Sequence, residues 1–95
     1  MSLLFEWDPD KAESNLAKHN LSFEEAMSVF ADPLARIFPD EDHSAHELRE
    51  IIIGRSTQQQ LILVNFIATE DQVRIISARK TTRRERKDYE ENIGS

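Results

Sequence analysis

Three apolar runs dominate the second half of this chain and constrain its fold more than any other feature. LREIIIGRS (residues 48–56), LILVNFIAT (61–69) and VRIISAR (73–79) follow one another with only the polar turns TQQQ and EDQ between them. Runs this rich in β-branched residues and bounded by polar turns read as strands. Connections of three or four residues are too short for a crossover helix, so successive strands must pair antiparallel. LARIF (34–38) supplies a fourth candidate strand ahead of the polar loop PDEDHSAH (39–46), and LLFEW (3–7) a short fifth at the start.

Between the first and second of these strands the punctuation is helical. Asp8 followed by Pro9 is an N-cap with proline at the first helical position, and the helix it opens should end near Asn20, with Ala12, Leu16 and His19 on one side. Ser22 and Glu25 form a capping box ahead of Phe23, Ala26, Met27 and Phe30, and Asp32-Pro33 closes that segment. Thr82 and Glu85 make another such box, opening a last helix that is charged almost throughout apart from Tyr89 and Ile93. The order is therefore β-α-α-β-β-β-β-α. It predicts an α+β fold: a small antiparallel sheet, two N-terminal helices packed on one face and a charged C-terminal helix. Residues 1–95 suffice for one domain with one core.

Charge is distributed unevenly. The chain carries a formal net charge of -6, yet residues 74–95 hold seven of its twelve basic side chains against four acidic ones, so that segment is +3 and the remainder -9. Arg83 and Arg84 fall in the first turn of the last helix, where the helix dipole favours acidic residues. Unpaired N–H groups and guanidinium groups together suit a phosphate, whereas the plainer reading is a solvated helix whose arginines pair with Asp88, Glu90 and Glu91. On a regular strand Arg79 lies on the face opposite to Arg74, so the two converge only if a bulge or a strand end intervenes.

Other chemistry is sparse. The chain has no cysteine, which removes disulfides and thiolate nucleophiles and fits a reducing compartment. Asp40, Asp42, His43, His46 and Glu47 cluster in one loop, but H-x-x-H there has no second ligand pair at a diagnostic spacing, so no metal and no other cofactor is expected. Lys18-His19 ends the first helix, and a histidine is the best generic proton shuttle available. The N-terminus lacks the basic start and long apolar run of a signal peptide, and no apolar stretch is long enough to span a bilayer; a cytoplasmic protein without membrane contact is expected.

The motifs W-D-x-x-K-x-x-x-N-x-x-K-H (residues 7–19), S-F-E-E-A (22–26), E-x-R (47–49) and R-I-I-S-A-R-K (74–80) occur together. In this combination the chain resembles the BrnT toxins of bacterial type II toxin–antitoxin systems along nearly its whole length. The resemblance implies a RelE-like fold and a ribonuclease that inhibits translation and growth by cleaving RNA without a metal. It also implies a BrnA-like antitoxin that binds operator DNA, with the toxin monomeric alone and hetero-oligomeric with that partner. Asn20 stands where the family usually has glycine, and can take the same left-handed cap.

Carried over residue by residue, the resemblance implies transition-state contacts from Arg79 and Arg83 and proton-transfer roles for Lys18, His19 and Glu47. RNA or phosphate contacts fall to Arg74, Arg49, Ser77, Thr82 and Tyr89. Replacing Arg79 with alanine is expected to slow cleavage and to leave folding nearly unchanged. The alternative is a non-catalytic interaction module whose basic C-terminal face binds an acidic or disordered partner.

Overall fold

The computed structural model describes residues 4–41 and 48–93. In chain order the elements are β1 (Leu4–Glu6), α1 (Pro9–His19), α2 (Phe23–Ser28), a 3-10 turn (Val29–Ala31), β2 (Arg36–Pro39), β3 (Glu50–Arg55), β4 (Leu61–Ala68), β5 (Gln72–Lys80) and α3 (Arg83–Ile93). The strands form one sheet in the order β1-β5-β4-β3-β2. The class and element order match the sequence expectation. Strands β2 to β5 are antiparallel neighbours, as the short turns from β3 to β4 and from β4 to β5 require for the last three, but β1 runs parallel to β5. That pair is joined through both helices and three other strands, so no tight turn dictates its direction.

Local signals set the helix ends. The Asp8 carboxylate accepts from Asp10 N at 2.8 Å, and Asn20 adopts φ 56°, ψ 36° while its N–H donates to Leu16 O, so asparagine does serve as the left-handed cap. Ser22 Oγ accepts from Glu25 N at 3.0 Å. The Glu25 carboxylate leaves the box and accepts instead from Ser56 Oγ at 2.7 Å and Gln60 Nε2 at 2.9 Å, tying α2 to the β3–β4 turn.

The two faces of the sheet differ. Helices α1 and α2 cover one of them, where Leu21, Phe23, Ala26 and Val29 pack against Ile52, Ile62, Val64, Phe66, Val73, Ile75 and Ala78. Phe30 stands edge-on to both Phe5 and Phe66, at 5.1 and 5.0 Å between ring centroids. On the other face Ile53, Leu61 and Leu63 meet one buried residue of α3, Tyr89.

One expectation about α1 is corrected. Ala12 packs against the core as expected, but Leu16 is 50% exposed, and the residue of α1 buried against the sheet is Asn15, at 7%. Its Nδ2 donates to Leu21 O at 3.1 Å and its Oδ1 accepts from Ala78 N at 3.0 Å. The pairing of β1 with β5 stops at Arg74, so beyond it β5 has an uncovered outer edge. A buried N–H left there without a partner would cost about 1 to 3 kcal/mol, and Asn15 satisfies it.

Candidate active site

Strand β5 is not regular. Its register with β4 shifts between Asn65 and Phe66, so that Asn65 faces Ser77 while Phe66 faces Ile75, leaving Ile76 as an extra residue. Val73, Ile75 and Ala78 thereby keep to the helix-covered core, and Arg74, Ser77 and Arg79, opposite Ile67, Asn65 and Leu63, share the other face. The bulge that convergence of the two arginines required is present. Between them Ser77 Oγ donates to Asn65 Oδ1 at 3.2 Å and Asn65 Nδ2 donates to Asp40 Oδ2 at 2.8 Å, a polar ladder across the sheet.

Where β5 ends and α3 begins, a cleft of about 440 Å³ opens. Arg55, Lys80, Arg83 and Arg86 line it together with Gln59, Gln60, Leu61, Thr81 and Thr82, and among the described residues no carboxylate does. The grouping follows from register: Arg55 pairs with Leu61 and Lys80 with Ile62, so the end of β3 and the exit of β5 meet at one end of the sheet. Arg55 and Arg86 both reach Glu90 Oε2, at 3.7 and 3.6 Å, and the carboxylate is shared between two cations. Arg55, Lys80 and Arg86 were not singled out as site residues from the sequence, although the two hairpin registers would have placed Arg55 and Lys80 at the same end of the sheet.

Arg79 lies just outside this cleft and is engaged. Its Nη1 and Nη2 donate to Glu85 Oε1 and Oε2, both at 2.9 Å, and Nη1 also donates to Lys80 O at 3.2 Å. Glu85 Oε1 accepts in addition from Thr82 N at 2.8 Å, and Thr82 Oγ1 accepts from Glu85 N at 3.2 Å, completing the capping box. The fork to Arg79, aided by Thr82, outweighs desolvation and holds the Glu85 carboxyl down to about 2. The same pairing raises Arg79 above its ordinary value. Arg79 thus fastens α3 to β5, so its replacement touches a tertiary contact as well as the site.

Tyr89 is 2% exposed, and its hydroxyl donates to Asp32 Oδ2 at 2.7 Å. Burial, then the bond to Asp32, pushes its hydroxyl up to about 12. Burial opposes ionisation of Asp32, but the Arg55 N–H at 2.8 Å, the tyrosine hydroxyl and the Leu34 N–H together keep its carboxyl below the usual range. In this geometry Tyr89 docks α3 against Ile53, Leu61 and Leu63, with its hydroxyl tied to Asp32.

The remaining sequence candidates are dispersed. Thr82 and Arg83 line the cleft. Lys18 and His19 end α1, which packs on the opposite face of the sheet, and neither lines the cleft. Arg49 directly precedes β3, and its carbonyl accepts from Asp40 N at 2.9 Å; it stands at the far end of that strand from Arg55. Glu47 lies outside the described residues, as do Asp42, His43 and His46. Among the described residues no group of three or more histidines and carboxylates is arranged to hold a metal, and no helix is long and apolar enough to cross a membrane.

Fold and cleft together define a small α+β domain with a greasy face closed by helices and a cationic face left partly open. The family model for the ribonuclease toxin BrnT of type II toxin–antitoxin systems matches residues 7–85, and the chain belongs to that family. Among solved structures it is similar to the Brucella abortus ribonuclease toxin BrnT, known at 1.1 Å resolution, with TM-score 0.66 at 26% identity over 86% of this chain and 100% of that one. No curated protein sequence matches the chain.

Proposed function

We propose that this chain is a metal-independent endoribonuclease that arrests translation and growth in the cytoplasm and is neutralised by a BrnA-like antitoxin, which supplies the operator-DNA binding. The toxin alone is read as a monomer, and with its antitoxin as a hetero-oligomer. The observation that carries the reading is the cleft: four basic side chains and, among the described residues, no carboxylate line it, in a chain of net charge -6. Such a site gathers phosphates while the rest of the surface repels them.

In cleavage without a metal the substrate supplies the nucleophile. The ribose 2′-oxygen loses its proton and bonds to phosphorus, and the bond from phosphorus to the 5′-oxygen breaks as that oxygen takes up a proton. The products are a 2′,3′-cyclic phosphate and a free 5′-hydroxyl. Negative charge peaks on the phosphoryl oxygens, where preorganised donors contribute most. In this reading Arg79 and Arg83 make the transition-state contacts, Arg74, Ser77 and Thr82 guide the backbone, and Arg55, Lys80 and Arg86 join them. By strand rise Arg74 and Arg79 stand roughly 13 Å apart, so they serve different phosphates. Proton transfer is assigned by family resemblance to Lys18, His19 and Glu47.

One observation favours the non-catalytic alternative: the charge of Arg79 is already balanced by Glu85. Cleavage itself decides. Purified protein should cut single-stranded RNA in EDTA, and inducing it in a host should arrest growth unless the neighbouring antitoxin gene is co-expressed. Intact RNA at verified soluble expression refutes the ribonuclease reading. Loss of cleavage on chelation, restored by one divalent ion, would refute metal independence and turn attention to His43 and His46.

A further inference from the structure

Arginine has five N–H donors in a planar fork, and Arg79 uses three of them inside the protein, all on Nη1 and Nη2. The Nε–H and the second Nη2–H remain. These two lie parallel along the other edge of the guanidinium, the edge suited to two oxygens of one phosphate. The Arg79 side chain is 40% exposed, so this edge belongs to a group that solvent and ligands reach. Glu85 is itself fixed by its two bonds with Thr82 at the start of α3. The carboxylate that grips the arginine is thus also held by Thr82 N.

We propose that Glu85 is a positioning residue: it grips the Nη1/Nη2 edge of Arg79 so that the Nε/Nη2 edge is held out to the phosphate undergoing cleavage. The inference rests on the ribonuclease reading for the identity of that phosphate, and it assigns the pair a purpose beyond fastening α3. An unheld arginine on a strand samples many rotamers, and each must be frozen out when the transition state forms. Held by Glu85, the guanidinium meets the phosphate already oriented. The cost is electrostatic, because a carboxylate beside the site weakens binding of any polyanion. Clamping should therefore raise turnover while loosening ground-state binding, and the two effects can be separated.

Glu85→Gln is the informative change, since glutamine can still complete the capping box with Thr82. The expected result is a fall in kcat of about tenfold with KM unchanged or lower, at a temperature where circular dichroism shows the variant folded. In an Arg79→Ala background the same change should lower kcat no further, because its effect passes through the arginine. A purely structural pair would lower the melting temperature without opposing shifts in kcat and KM. Parent kcat in folded Glu85→Gln, or full additivity with Arg79→Ala, overturns the proposal.

A readout independent of cleavage keeps the two readings apart. In 15N-labelled protein the Arg79 Nε–H resonance should shift on adding a 2′-O-methyl RNA oligonucleotide, which cannot be cleaved, and this shift should shrink in Glu85→Gln. If the parent cleaves no RNA yet shows the shift, the clamp stands as an RNA-binding device and the ribonuclease reading falls. If the oligonucleotide moves other resonances but leaves this one in place, the clamp proposal is wrong.

Discussion

The two faces of the sheet are built by different physics. Among the described residues the helix-covered face is closed by a cluster of eleven buried apolar residues, with the buried Asn15 beside them and three edge-on aromatic pairs around them. Among the described residues the α3 face has a cluster of four buried apolar residues and is otherwise fastened by polar pins: Arg79 to Glu85, Tyr89 to Asp32 and Arg55 to Glu90. Apolar burial is non-directional and scales with area, so the first face supplies most of the stability. Polar pins contribute little net free energy but fix angles, which is what a site for an anion needs. Keeping the two tasks on opposite faces lets the cationic side stay wet without weakening the core.

The comparison can be broken first on the apolar side. Phe23 is wholly buried and stands edge-on to Trp7 at 5.9 Å. Phe23→Ala should cost about 3 to 5 kcal/mol, enough to unfold a domain this small in mild denaturant, as urea titration would show. A loss below about 1 kcal/mol would mean the helical layer is not the main support. Asn15→Leu comes next, with an expected loss of about 2 to 3 kcal/mol although the substitution is more apolar, because Ala78 N and Leu21 O lose their partner. Hydrogen exchange at the Ala78 amide should rise in that variant. No change there would show that water takes the place of Asn15.

The smallest effect sits on the α3 face and depends on pH. The Glu85 carboxyl is held down to about 2 in the folded protein, against an ordinary 4.5. A depressed carboxyl stabilises above its unfolded value and loses that contribution as the pH falls through the folded one. The stability difference between the parent and Glu85→Gln should thus be constant above about pH 5 and shrink toward zero near pH 2. Its plateau should be about 1 kcal/mol, since solvent reaching Arg79 screens the pair. A difference that grows on acidification would reverse the assignment.

What could be read from the sequence was whatever is encoded locally. The caps at Asp8, Asn20, Ser22 and Thr82 all formed, because each needs only residues within a few positions of itself. The parallel partner of β1 was not legible, since no turn connects it to β5. The face shared by Arg74 and Arg79 could be stated only as a condition, because alternation assumes a regular strand and the bulge depends on packing against β4. Asn15 was missed because helical periodicity ranks residues by hydrophobicity, whereas its place is set by an unpaired N–H sixty-three residues away. The Arg79–Glu85 fork crosses from strand to helix, and the capping role of Glu85 hid its second one.

The parallel pairing of β1 with β5 also bears on when this chain can become a protein during synthesis. Leu4 meets Gln72 and Asn15 meets Ala78, so elements made early wait for partners made more than sixty residues later. Contacts so distant in sequence form late. A nascent chain ending before residue 72 has no strand for β1, no amide for Asn15 and none of the arginines from 74 onward. The ribosome must therefore release the chain through β5 and α3 before the cationic face exists, and a product cut short of them is left without it.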